Sequence, residues 1–317
     1  MTVEQLGQVS NYCVASATGV LALAFVAYVA QWGFARTVPA ERSLVAAGGS
    51  DEPAAPTGTD SGDLPDGSDV AGSIGFSLSA LATVILLAGV VTRGMAAGRV
   101  PWGNMYEFGC IAILFAMVAY LALERVWAID WVGPLVTAFA TIVLGSTMLF
   151  VYVPPGPLVP ALDSYWLVIH VLGAITAGAA FLVGAAASIL YLLKARAERT
   201  TPEAERTGFL WRIPSSAVID QVAYRVHAFA FPIWTFAALI AGPIWAQAAW
   251  GRYWGWDAKE VWAFITWVFY AAYLHARATA GWRGKAAALL ALAAFSTFLF
   301  NYIGVNLFVG GLHSYAK

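Results

Sequence analysis

The chain has 317 residues, of which 60% are hydrophobic and only 11% charged, and its mean hydropathy is +0.71. A water-soluble domain of this length has no interior large enough to hide that apolar surface, whereas a bilayer supplies the apolar surroundings itself. The formal net charge of −1 excludes a nucleic-acid partner held by bulk charge.

The expected fold is all-α, a polytopic integral membrane helical bundle. A spanning helix needs about 20 mostly apolar residues. Such stretches lie at about 15–35, 73–93, 107–126, 131–153, 164–193, 226–248, 260–279 and 284–308, giving about eight transmembrane helices. The seventh is the least apolar at its start. The first run follows Glu4 and no basic segment, so it reads as a retained helix, not a secretory signal. Residues 1–36 thus form an N-terminal transmembrane helix and 73–317 a membrane domain. Between them, 37–72 is rich in Pro, Gly, Ala, Ser and Asp, with Asp51, Glu52, Asp60, Asp63, Asp66 and Asp69. That composition predicts a disordered acidic linker. Cys13 and Cys110 form no CxxC or zinc pattern and read as buried small hydrophobes.

Lys and Arg in the loops set the orientation. The 194–225 loop carries Lys194, Arg196, Arg199, Arg206, Arg212 and Arg225, and the 277–285 loop carries Arg277, Arg283 and Lys285. Both are expected in the cytoplasm, as is the 37–72 linker. Both termini, the 154–163 loop and the 249–260 loop then face the extracytoplasmic side. Arg93 and Arg99 fall on that side too, against the trend.

Residues 250–262 read WGRYWGWDAKEVW. Trp250, Trp254, Trp256 and Trp262 crowd into one outward segment. Two readings fit: an aromatic belt anchoring an interfacial helix, or a flat surface on which a large planar ligand stacks. Asp257 and Glu260 have the D-x-x-E form of a capping box at the head of the seventh helix.

The four histidines separate by position. His170 lies about two turns into the fifth helix from its outer end, and His313 lies just beyond the eighth helix, also outside. Both are on the tryptophan side, and two imidazoles beside an aromatic platform suit axial ligation of haem iron. His275 follows Glu260 by fifteen residues, about 22 Å deeper, and would belong to a separate inner site. His227 begins the sixth helix at similar depth. It reads as an interfacial histidine snorkelling to the surface, with a partnership with His275 as the alternative.

These residues resemble the CcsA/ResC family of system II cytochrome c biogenesis, called CcsB in some lineages, within the WWD-domain haem-handling proteins. The likeness rests on WAQAAWGRYWGWDAKEVWAFITW, YLHAR, GWRGK and NYIGVNLFVGGLHSYA, and on PWGNMYEF at 101–108. It covers roughly 160–317 closely, and 1–72 weakly or not at all. It implies that 73–317 is a haem-handling domain in the cytoplasmic membrane, multi-pass, with the WWD segment extracytoplasmic. It implies haem b as substrate and covalent attachment to apocytochrome c, that is, a cytochrome c haem lyase component acting with a Ccs1/ResB partner. A thioredoxin-like supply of thiol reductant is compatible. His170 and His313 match the outer iron ligands, and His275 the inner one, whose second ligand the partner supplies. His227 departs from the family pattern, where an apolar residue is usual. The resemblance further implies that Trp250, Trp254, Trp256, Asp257 and Trp262 contribute to haem binding.

Two other classes compete. A cytochrome b-like membrane electron carrier would pair histidines on facing helices inside the bilayer. A small-molecule transporter would show internal repeats and helices broken at midplane. No convincing repeat is visible, and the glycines at 173, 178 and 304 suggest close helix packing.

Overall fold

The computed structural model describes residues 1–34, 67–127, 129–157, 162, 164–206 and 208–312. The described residues form eight long helices and no strand: α1 Val3–Phe34, α2 Gly67–Ala97, α3 Met105–Trp127, α4 Gly133–Phe150, α5 Tyr165–Thr200, α6 Ser216–Trp250, α7 Ala258–Thr279 and α8 Lys285–Phe308. All but α7 are long and apolar enough to cross a membrane. At 22 residues α7 has the length, but polar residues begin it. The all-α multi-helix bundle is as expected.

The boundaries differ in two places. The helix α2 begins at Gly67, inside the stretch expected to be linker; the rest of that stretch lies outside the described residues. The helix α6 begins at Ser216, ten residues before the expected span. Its first turns (SAVIDQVAYRV) are polar enough to escape an apolar window, yet Ile219, Ala223 and Val226 are buried. Asp220 there forms a two-pronged ion pair with Arg277 of α7, at 2.7 and 2.9 Å.

Small residues let the helices approach closely, as expected where lipid gives no hydrophobic drive between helices. Ser10 Oγ of α1 donates to Gly89 O of α2 at 2.7 Å. The α5 helix is central, with nearly every residue from Ala177 to Ser188 buried. Three of its glycines seat neighbours. A Cβ on Gly173 would lie 2.9 Å from Ala237 Cβ, on Gly178 2.5 Å from the Phe298 ring, and on Gly184 2.6 Å from His227 Cε1.

Arg93 and Arg99 have a local explanation. Glu107, in the first turn of α3, is fully shielded and pairs with both, Arg93 Nε at 2.9 Å and Arg99 Nη1 at 2.8 Å. Arg93 also donates to Val153 O, and Arg99 Nε to Gly156 O at 3.1 Å. The guanidiniums therefore tie α2, α3 and the segment after α4 together. Glu107 additionally accepts from Gly103 N at 2.9 Å, while Asn104 Oδ1 accepts from Glu107 N at 2.9 Å. This is a capping arrangement that starts α3 at the same end of the bundle as the α7 cap.

Removing one member of a buried ion cluster leaves the others uncompensated, at a cost of about 3–5 kcal/mol. Glu107→Ala is expected to lower the thermal midpoint of the detergent-solubilised protein and its level in membranes, while Glu4→Ala, on the exposed start of α1, leaves both unchanged.

Candidate functional site

Where α3, α5 and α7 begin and α6 and α8 end, the helices form a partly open cavity. Its wall includes His170 and Val171 of α5, Trp245 and Trp250 of α6, Trp254 of the following loop, Lys259 and Glu260 of α7, and Asn301 and Tyr302 of α8. A mostly apolar concavity walled by aromatic rings, with a few placed polar groups, suits an organic ligand with a flat apolar face.

Two π turns shape it. The first, Ala237–Ala241, interrupts α6 just before Gly242-Pro243. Proline has no N–H and crowds the carbonyl four residues back, so regular α-helix is disfavoured there. A π turn adds a residue to the turn and aims a carbonyl sideways. The carbonyl of Ala237 accepts from His170 Nδ1 at 2.8 Å. A carbonyl can only accept, so Nδ1 carries the proton, and in the neutral imidazole Nε2 then holds the lone pair, the tautomer that ligates metal. Trp245, almost fully buried, stacks on the imidazole at 5.9 Å and 11°. Gly242 makes room, since a Cβ there would lie 3.1 Å from His170 Nδ1. The second π turn, Phe300–Gly304, interrupts α8, and there Asn301 O accepts from Lys259 Nζ at 3.2 Å.

The segment 250–262 turns out to be three structures. Trp250 ends α6 and packs edge-on to Trp245 at 4.8 Å. Gly251 follows with φ +74°, the left-handed closure that glycine permits. Next comes an extended loop, and then α7. Asp257 is the N-cap of α7, within a complete capping box with Glu260. Glu260 Oε2 accepts from both Asp257 N at 3.0 Å and Gly255 N at 2.8 Å. One carboxylate thus bridges the two neighbours of Trp256, which has the uncommon φ of +57°. Asp257 Oδ1 also accepts from Leu312 N at 3.1 Å, so the cap fastens the chain beyond α8 as well.

The expected site residues separate accordingly. His170, Trp250 and Trp254 line the cavity together. Trp256 does not; the residue is 70% exposed and its ring meets Trp254 edge-on at 5.8 Å. Trp262 lies against Phe300 at 4.2 Å, behind the second π turn. Asp257 acts through caps. His313 lies outside the described residues, one position after Leu312. His275 is exposed near the far end of α7, away from the cavity. His227 does not snorkel: it is fully buried among Phe181, Tyr270 and Tyr273. His275 is two residues past Tyr273, about 200° around the helix, and faces away from His227. Trp102, Trp234 and Trp245 also line the cavity, and sequence reasoning overlooked them. Gly242-Pro243 inside an apolar span was the available signal for the first π turn, and Asn104-x-x-Glu107 for the α3 cap.

The cytochrome c assembly protein model matches residues 102–313. The chain belongs to that family. It is 37% identical over 266 residues to a cytochrome c biogenesis protein CcsA of Synechococcus sp. (strain CC9902), covering 75% of this chain and 85% of that one. It is 35% identical over 250 residues to the protein of that name from Chlamydomonas reinhardtii, covering 76% and 67%. The fold is shared with a solved structure, a cytochrome c haem lyase CcmF, at a TM-score of 0.56 and 18% identity; the match covers 98% of this chain and 50% of that longer one. The chain is a multi-pass membrane protein of cytochrome c maturation.

The double duty of Asp257 gives a specific expectation. Asp257→Ala removes the α7 cap, worth about 1 kcal/mol, and the acceptor for Leu312 N–H. Hydrogen exchange at the Leu312 amide is expected to rise, while exchange in the middle of α7 changes little. An unchanged Leu312 amide would refute the tail contact.

Proposed function

We propose that this protein presents haem at the extracytoplasmic face of the cytoplasmic membrane for covalent attachment to apocytochrome c, as the CcsA/ResC component of a system II synthase. The observation that carries this reading is His170: an imidazole on the wall of a tryptophan-lined cavity, with its tautomer set by Ala237 O so that Nε2 holds the lone pair. The cavity chemistry fits a porphyrin, with aromatic faces for stacking and a nitrogen donor suited to iron.

In this reading haem b is the cargo. His170 supplies one axial ligand and His313 the other, and the bond from Leu312 N to Asp257 supports the second by holding the residue before it. Trp250 and Trp254 stack against the macrocycle, and the exposed Trp256 meets the docking apocytochrome. Each cysteine thiol of the apocytochrome's CxxCH adds across a haem vinyl group. A C–S bond forms, the vinyl π bond is lost, and the thiol hydrogen moves to the terminal vinyl carbon, with no net redox change. The thiols must be reduced beforehand, the task of a thioredoxin-like supply. The protein contributes the orientation of two reactants.

An inner site at His275, with a second ligand from a Ccs1/ResB partner, delivers haem to the outer one. The outward-facing, exposed position of His275 supports a ligand from outside this chain, and the burial of His227 against Tyr270 and Tyr273 argues against a pair within it.

His170→Ala is expected to remove the low-spin, bis-imidazole absorption of the outer haem from protein purified with its partner. Deletion of the protein is expected to abolish haem-stained membrane c-type cytochromes. Persistence of those cytochromes, or an unaltered spectrum, would overturn this function.

A further inference from the structure

The cavity contains a cation that the outer-ligand scheme does not use. Lys259, in the first turn of α7, lines the wall, and among the described residues its ammonium makes one hydrogen bond, to Asn301 O at 3.2 Å. An ammonium has three donors. Among the described residues no carboxylate oxygen lies within 4.0 Å of Nζ. The carboxylates nearby in sequence serve backbone amides: Glu260 those of Gly255 and Asp257, and Asp257 those of Lys259 and Leu312. A charge in so apolar a setting is costly unless something pairs with it.

A second donor is orphaned on the same wall. Trp254 Nε1 is shielded from solvent, has no hydrogen-bond partner among the described residues, and belongs to a residue lining this cavity. Buried donors are nearly always satisfied, so an orphan of a cavity-lining residue calls for an acceptor that enters with a ligand. A cation and a neutral donor make a set that recognises a carboxylate.

We propose that Lys259 is the counter-charge for a ligand carboxylate, so that the site selects a porphyrin with free propionates over its neutral esters. The inference rests on the haem reading of the same cavity and adds what determines its specificity. The π turn of α8 is the supporting element: it presents Asn301 O to hold the ammonium at the wall.

The test uses the full chain in lipid nanodiscs, titrated with haem and, separately, with haem dimethyl ester, followed by Soret absorbance. The wild type is expected to bind haem about tenfold more tightly than the ester, the scale of one charge-assisted contact. Lys259→Gln keeps an N–H donor for Asn301 O but loses the charge, and is expected to bind both porphyrins with the affinity of the ester. Lys259→Arg keeps the preference. A wild type without preference, or a Gln variant that retains it, overturns the proposal while leaving haem binding intact. Binding of neither porphyrin by the wild type overturns the haem reading itself, and this inference with it.

Discussion

The hydrogen bond from His170 Nδ1–H to Ala237 O joins α5 to α6 and decides what the imidazole can do. In an unbroken α-helix the Ala237 carbonyl would point along the axis and be taken up by the amide four residues on. Here the π turn passes it to the amide of Gly242, five residues on, and leaves it able to accept from the side. Pro243 makes the break inexpensive, because its missing N–H has already disrupted the ladder. Gly242 and Gly173 let the two helices close to the distance at which the bond can form. Several sequence features that look unrelated serve one bond.

The second π turn repeats the device. In each case an apolar helix gives up a regular turn, and a carbonyl gains a side-chain donor across the cavity: His170 at Ala237, Lys259 at Asn301. Polar side chains at this depth need such partners, and backbone carbonyls supply them without adding charge. The two capping arrangements, Asn104 with Glu107 and Asp257 with Glu260, do comparable work for the helix starts. The cavity wall is therefore built from helix interruptions and helix ends, the places where backbone groups remain available.

Much of this was legible in the sequence, because its causes are local. Bilayer thickness set the helix count, the D-x-x-E pattern located the α7 cap, and the crowding of tryptophans falls at the end of the bundle that holds the cavity. Contributions that depend on tertiary neighbours were not. Trp245 looks like any apolar residue of α6 until the stacked imidazole explains it. His227 reads as an interfacial histidine by its place near a basic loop, but α6 begins at Ser216, which carries position 227 three turns into the helix and beneath the gap at Gly184. Of the four tryptophans in the motif, two line the cavity; the backbone turn at Trp256, held by Glu260 on both sides, sends that ring outward. No periodicity argument could have separated them.

The helix α7 explains why the two ends of the molecule must differ. Its buried face carries Thr266, Tyr270 and Tyr273, and Arg277 continues that face to the ion pair with Asp220. Its other face carries Phe264, Val268 and His275, all exposed. At the capped end, the loop before α7 and the chain after α8 are fastened together by Asp257, so this chain can approach the cavity from several sides. At the far end the only histidine on α7 looks away from the bundle. Rotating it inward would require α7 to turn by about half a revolution and surrender the Arg277–Asp220 pair.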